Sequence, residues 1–530
     1  MPKIEIKEKD LTSPGSLQVS TNTVYVPGFT TKGPENQPTL VETVAQLEEL
    51  FYDKDKGYVT YYISDDEVCE DAISAAVTNK PTVTKPYENI SEIANVTKHG
   101  DAERGYIFAK MLLNEGIPVI FERLALPTGA DAERTYNKLI TDKSTDAQGN
   151  TTVSYKTKEE KVPAFAITVT QAYTQLASLS AEDLKDKGSY NIKFITSGGY
   201  PVLGESFKVM KAKEAKADNF IGSSIASTLT SIATARGDCV ALLDHVPDIE
   251  PNALFDKMFA ETAYYNLKKD STTEYEKVTV KDEKSDTWVY KTTGAASGLV
   301  AGDNGKYVAL FSPWGTYNLP SNMYQRIVTN TDSTVTVSST YTMPGSFAYL
   351  MALAVSVRTN PNWYAVAGAQ RGAIPYLLDT YKRITNAIAD DYQKRDTYSI
   401  NPITRINPFG LILWGNRTAY NNGIKGNLTA SSFLNVRNLI SDVKKTVWTA
   451  ARQMTFEQNN EILWVVFKSL ITPTLDQMVS GNGLRSYELK RRVAVEKATL
   501  SAVVRLFAIE AIEDFEIEIQ LADDSTVVTE

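Results

Sequence analysis

Residues 193–244 place the first hard limit on the fold. Positions 193–197 read as a strand. Ile221, Ile225, Leu229, Ile232 and Ala233 then recur at helical spacing and mark one face of a helix. Gly237 stands where a glycine would end that helix. The next segment, 238–244, reads Asp-Cys-Val-Ala-Leu-Leu-Asp, apolar without alternation between polar ends. A strand that is apolar on both faces belongs in a parallel sheet with helices on either side. The unit is therefore β-α-β, and the expected fold class is mixed α/β, or α+β, in a multidomain chain.

Other segments extend the pattern. Positions 23–26 read as a short strand stopped by Pro27-Gly28. Val44, Leu47, Leu50 and Phe51 give 40–52 a helical spacing, 104–114 reads as a helix, and 118–123 as a buried strand. Further on, 346–358 and 376–390 read as helices and 410–414 as a buried strand. In 432–454 the apolar residues Phe433, Val436, Ile440, Val443, Val447 and Ala450 step by three and four. Positions 459–479 form another helix, which Pro473 is expected to kink or split. Strand-like runs follow at 487–495, 500–509 and 515–521. Two polar stretches look inserted. One, 141–161, surrounds a Gln148-Gly149-Asn150 turn. The other, 268–306, carries runs at 276–280 and 287–290 that suggest a hairpin, and ends in an Asp303-Asn304-Gly305 turn. At 530 residues the chain has room for about three or four domains.

Composition narrows the chemistry. Two cysteines exclude a disulfide framework and a Cys-rich zinc site. Two histidines, His99 and His245, leave little for His-based metal or acid–base work. With 55 Lys+Arg against 64 Asp+Glu the formal charge is −9, which argues against nucleic-acid binding over the whole surface. The nearest approach to a phosphate-binding loop is Gly305-Lys306-Tyr307. It has Val300 where the first glycine belongs and a tyrosine where the magnesium ligand belongs, so it reads as a turn. No Gly-x-Ser-x-Gly elbow is present. Cys239 lies inside an apolar run and reads as a buried structural thiol, with His245 in a loop beyond it. Asp65-Asp66-Glu67 and Glu70-Asp71 lack the spacing of a calcium loop and read as a solvated acidic face. No catalytic residue, cofactor or metal site is expected. The N-terminus has no apolar core of a secretory signal. The longest apolar run, 347–355, is far short of the ~20 residues a membrane helix needs. Residence in a cytoplasm without membrane insertion is therefore expected.

Two features rise above this background. Residues 425–505 contain 12 Lys+Arg and 6 Asp+Glu, a net +6 that leaves −15 for the rest. Within them Arg437, Lys444, Lys445 and Arg452 fall on a narrow arc of one helix, beside its apolar face. The arc is either a solvated face or a docking surface for an acidic partner. At the chain's two ends, Ile4 and Ile6, and Phe515, Ile517, Ile519 and Leu521, alternate with charged or polar residues as amphipathic strands. Each either pairs within its own domain or adds to a neighbouring subunit.

The motifs resemble the tail sheath proteins of contractile bacteriophages and related contractile injection systems. The resemblance begins with Val-Pro-Gly-Phe-Thr-Thr-Lys-Gly-Pro at 26–34, leading into Leu-Val-Glu-Thr at 40–43 and Leu-Glu-Glu-Leu-Phe at 47–51. It continues in Gly-Ile-Pro-Val-Ile-Phe-Glu-Arg at 116–123 and in 237–244. Its strongest part is C-terminal. Met-Pro-Gly-Ser at 343–346 is followed by a stretch with Trp363, Ala367-Gly368 and Arg371-Gly372. Then come the strand end Trp414-Gly415-Asn416-Arg417-Thr418 and Phe-Glu-Gln-Asn at 456–459. The C-terminus departs from the family by lacking its Cys-Asp and Asn-Thr-Pro segment, and looks like a shorter variant.

The resemblance implies a structural part without turnover: stacked six-membered rings around an inner tube, shortening to drive the tube through a cell envelope for genome delivery. Partners would be other copies of the chain, the tube protein, and baseplate and terminator proteins, with no direct nucleic acid. The place would be the virion tail, after assembly in the host cytoplasm. It implies a linking arm at 1–22, core segments at 23–127 and 191–264, outer modules at 128–190 and 265–306, a tube-facing domain at 307–509 and an arm strand at 510–530. The basic arc becomes a candidate tube contact and the terminal strands become candidate arms. Trp363, Gly368, Arg371, Gly372, Trp414, Gly415, Arg417 and Thr418 become structural motif residues. A surface-exposed adhesin with hairpin modules, or a hydrolase with an unrecognised site, are the readings from other classes.

Overall fold

The structure is a computed structural model. It describes residues 22–30, 32–51, 104–125, 133–145, 151–163, 175–202, 207–211, 223–245, 263–267, 275–278, 288–292, 302–319, 326–329, 335–338, 340–394, 399–420, 428–492 and 500–510. The arm residues Ile4, Ile6, Phe515, Ile517, Ile519 and Leu521, the acidic cluster at 65–71 and His99 lie outside the described residues.

An eight-stranded sheet forms the centre. Its strands are β1 (Val24–Gly28), β2 (Thr39–Val41), β3 (Val119–Arg123), β4 (Phe194–Thr196), β5 (Val240–Leu243), β6 (Val308–Ser312), β7 (Asn401–Ile406) and β8 (Gly410–Leu413). Their order across the sheet is β8-β7-β6-β5-β4-β1-β3-β2. The six inner strands are parallel, and β2 and β8 close the two edges antiparallel. The expected β-α-β unit is β4, helix α2 (Ser223–Arg236) and β5, with β4 and β5 adjacent and parallel.

Period-two side chains sort the sheet residues between two cores. Val24, Val26, Phe121, Phe194, Val240, Leu242, Ala309 and Phe311 face α1 (Arg104–Asn114) and α3 (Gly345–Ser356). Tyr25, Ile120, Ile195, Ala241, Leu243, Val308 and Leu310 face the opposite way, onto Ile225, Leu229, Ile232 and Ala233 of α2. The run 239–243 is unbroken because both of its faces are covered. The face under α3 is rich in rings: Tyr349 stacks on Phe311 at 4.7 Å, and Phe347 meets Phe108 and Tyr317 edge-on. Each fully buried side chain of this size contributes roughly 1.5–3 kcal/mol.

Helices α4 (Leu434–Gln453) and α5 (Glu461–Ser480) follow, then the antiparallel pair β9 (Leu484–Arg492) and β10 (Ser501–Ala508). Phe467, Ile471, Leu475 and Met478 are the buried face of α5, and Leu439, Val443, Leu475, Met478 and Leu484 form one small core.

Three readings need correction. Residues 376–390 are not one helix: Leu377–Thr380 is a strand paired with Gly315–Asn318, and a helix begins only at Asn386. The pairing partner lies about sixty residues upstream, where local periodicity carries no information. The runs at 275–278 and 288–292 do not pair with each other. Strand 263–267 lies between them, and 207–211 completes a sheet of order 275–278, 263–267, 288–292, 207–211. Pro473 does not split α5, which continues to Ser480 with that proline on its exposed side. The 141–161 hairpin is longer than its sequence signal, pairing 133–145 with 151–163. The Asp303-Asn304-Gly305 turn is part of a 3-10 helix, Gly302–Tyr307.

Candidate functional site

The motif residues converge on one joint between the sheet and the C-terminal helices. Asn401 of β7 organises its inner part. Its side-chain nitrogen donates to the Leu310 carbonyl (3.0 Å) and the Arg417 carbonyl (2.8 Å), and its oxygen accepts from the Arg417 amide (2.7 Å). Gly415 has no room for a side chain, since a Cβ would lie 2.8 Å from the Asn401 amide oxygen. Asn416 bridges to α4: its side chain donates to Asn435 Oδ1 at 2.7 Å and accepts from the Asn435 amide at 3.2 Å. Asn435 in turn donates to the Trp363 carbonyl (3.2 Å). The Trp363 indole donates to the Gly481 carbonyl at 2.8 Å, just past the end of α5. Trp363 thus pins the α5–β9 turn, where Gly481 and Gly483 let the ring approach; a Cβ on either would stand 2.7 Å from it.

The remaining motif residues brace the same edge. The Leu413 amide donates to the Gly372 carbonyl (2.9 Å), and a Cβ on Gly372 would meet the Leu413 carbonyl at 2.5 Å. Gly368 has φ +77° at the start of a short turn of helix that closes with the Gly372 amide on its carbonyl. Arg371 donates to the Ala365 carbonyl and covers the Tyr364 ring. Arg417 lies over the Phe433 ring, Thr418 bonds the 431–432 backbone, and Trp414 remains partly exposed. Asn401 and Asn435 went unread in the sequence. The only local signal for this network was Asn416, inside the 414–418 motif.

Half of the basic arc of α4 turns inward. Arg437 and Lys445 are each 4% exposed, whereas Lys444 and Arg452 are exposed. Arg437 and Lys444 both donate to the Gly237 carbonyl, at 3.2 and 2.9 Å, and both lie over the Tyr307 ring. Gly237 is the left-handed residue (φ +65°) that ends α2. The two cations therefore cap the negative end of that helix. Lys193 pairs with both oxygens of Asp442 at 2.8 and 2.9 Å, and Arg236 with Asp238 at 3.0 Å. Lys445 is left with no hydrogen-bond acceptor. Burial pushes Lys445 down to about 8 despite the nearby Asp238 and Asp442 carboxylates. Burial and the neighbouring Arg437 and Lys187 take Lys444 to about 8 as well. The expected exposed stripe is thus corrected to a half-internal seam, with Arg437 and Lys445 inside and Lys444 and Arg452 exposed. The sequence arc was real, but the α2 terminus packs on the polar side of α4, so burial extends past the apolar face.

The crevice beyond the carboxyl ends of the strands, where open α/β sheets commonly hold ligands, is filled by the chain itself. It lies where β1 has β3 on one side and β4 on the other. A Cβ on Gly198 or on Gly105 would stand 2.1 or 2.3 Å from the Pro27 carbonyl. At the end of β5 the buried Asp244 accepts from the Ser346 amide (3.1 Å) and hydroxyl (2.7 Å) at the first turn of α3. Burial raises its carboxyl to about 7, against those two bonds and Arg104. Burial pushes the Cys239 thiol up to about 12. His245 is buried, and its carbonyl accepts from the Trp314 indole. Among the described residues no group of three or more His, Cys, Asp or Glu could hold a metal.

Two open surfaces lie in the C-terminal region. The β9–β10 pair has no third strand among the described residues. Helix α5, the one described helix long and apolar enough to cross a membrane by length and composition, shows Ile462, Val465 and Val466 outward, 71%, 62% and 43% exposed.

No family model matches the sequence, and no curated protein matches it. Among solved structures, a chain of the six-fold symmetrised anti-feeding prophage baseplate is similar over 98% of this chain and 99% of its own, at 13% identity and a TM-score of 0.49. The anti-feeding prophage helical sheath in its contracted state gives 98% and 98%, 14% and 0.48. The sheath tail protein of Desulfitobacterium hafniense gives 96% and 100%, 9% and 0.41. These neighbours are described as a baseplate, a helical sheath and a sheath tail protein. At TM-scores below 0.5 they assign no role to any residue here.

Proposed function

We propose that the chain is a subunit of a contractile sheath, of a phage tail or of a related injection system. The observation that carries this reading is the ordered set of sheath-like motifs from residue 26 to 459. Support comes from their meeting in space: Trp363, Arg371-Gly372 and 414–418, distant in sequence, share one joint with the C-terminal helices. A part of this kind works by rigid-body reorientation in a polymer. It needs a stiff link between its layers and no reactive side chain.

In this reading copies stack as six-membered rings around an inner tube, and contraction drives the tube through an envelope. The open β9–β10 pair accepts strands from neighbouring arms at Ile4/Ile6 and at Phe515, Ile517, Ile519 and Leu521. Lys444 and Arg452, the exposed members of the basic set, are the ones that meet the tube in this reading. On the same reading the segments 128–190 and 265–306 are outer modules. The test is assembly: purified protein should form tubular polymers, and deleting residues 1–18 should leave soluble subunits that build no connected sheath. Connected sheath from that deletion would remove the arm from the account.

A further inference from the structure

The exposed apolar strip of α5 has a covering segment in the same chain. The strip is Ile462, Val465 and Val466 on a helix that also carries the exposed Lys468; β9 lies alongside α5 and ends in Arg491, which pairs with Glu461, and the exposed Arg492. Residues 511–521 carry the opposite chemistry. Ile512, Phe515, Ile517, Ile519 and Leu521 alternate with or lie beside Glu513, Asp514, Glu516 and Glu518, and no Lys or Arg occurs anywhere from 511 to 530. A segment of this kind offers apolar side chains to the strip and carboxylates to its basic margin.

The segment also starts in the right place. The Ile509 amide bonds the Gly483 carbonyl (3.1 Å), so β10 delivers the chain at the C-terminal end of α5. From the end of α5 at Ser480 to Val466 is roughly 21 Å of helix, and to Ile462 roughly 27 Å, at 1.5 Å per residue. An extended chain covers those spans in about six and eight residues, at about 3.3 Å each. Eleven residues, 511–521, are therefore long enough to reach the whole strip.

We propose that in the free subunit residues 511–521 run back along α5 and cover Ile462, Val465 and Val466 of the same chain. The contact hides an apolar surface until assembly, and residues 511–521 must leave it before they can bind elsewhere. It concerns the unassembled chain, so it stands or falls apart from the sheath reading.

The test is the maleimide labelling rate of Val466→Cys in the full chain with Cys69→Ser; Cys239 is buried with a raised thiol pKa and reacts slowly. The expected result is labelling at least tenfold slower than in the same protein carrying Glu513→Lys, Glu516→Lys and Glu518→Lys. The protection should be unchanged across a hundredfold range of protein concentration. Leu40→Cys, exposed on β2, should label equally in both backgrounds and so controls for folding. Equal rates at Val466→Cys in the two backgrounds would overturn the proposal. So would protection that grows with protein concentration, which would mean that a second copy supplies the cover.

Discussion

Lys445 carries an uncompensated burial cost in the C-terminal seam. Its neighbours' carboxylates are already engaged, Asp442 by Lys193 and Asp238 by Arg236, and its own nitrogen finds no acceptor. Its folded pKa, about 8, lies below the usual lysine value. Below about pH 8 both folded and unfolded chains carry the proton, and the desolvation cost is fully present. Between about 8 and 10.5 the unfolded chain binds a proton that the folded chain has released, so stability rises with pH. Lys445→Met should therefore stabilise the protein at pH 7 by roughly 1–3 kcal/mol and flatten that alkaline rise, read by thermal melts from pH 7 to 10.5. Asp244 has the opposite sign. Its folded pKa of about 7 exceeds the unfolded value, so its contribution falls as pH rises from about 4 to 7. Asp244→Asn should remove that acid-side slope in the same melts. Lys445→Glu would bury a carboxylate beside Asp442 and Asp238 and should destabilise strongly, whereas Arg452→Glu, on the surface, should leave the melt unchanged. That makes Arg452→Glu the cleaner probe of an outside partner.

At the scale of elements, the joint around Trp363 decides how firmly α4, α5 and the β9–β10 pair are held to the sheet. Trp363→Ala removes the ring on which Gly481 and Gly483 rest and the bond to the Gly481 carbonyl. It should cost roughly 2–4 kcal/mol. It should also raise hydrogen exchange at 480–492 well before the central strands open; uniform exchange along the chain would refute a local joint. Where local pattern and burial coincide, the sequence was legible: α1, α2, α4, β3 and β5 lie where the periodicity of 104–114, 221–233, 433–450, 118–123 and 238–244 places them. It was illegible where a distant partner decides. Leu377–Thr380 is a strand only because Gly315–Asn318 is there to pair with it, and 275–278 turns away from 288–292 because 263–267 intervenes. The motif joint was half legible. Trp363 and 414–418 stood out, but Asn401 and Asn435 matter through hydrogen bonds that no spacing announces. The basic arc was legible as an arc and misleading as a surface, since helical angle says nothing about which neighbour covers a polar face.

For the whole molecule, the formal charge of −9 conceals two regions of opposite sign, one of them +6 over residues 425–505. Part of that positive charge is spent internally, where Arg437 and Lys444 cap the end of α2. Much of the rest lies on α5, β9 and β10, by the open strand pair. This arrangement suits a subunit that links to others through its C-terminal region and moves as a body. The measurement that bears most directly on this account is electron microscopy of the purified full-length chain, alone and co-expressed with a candidate tube protein. The account predicts tubular polymers built of stacked six-membered rings, with the tube protein inside them when it is present. A monodisperse monomer under all conditions, never decorating a tube, would contradict it.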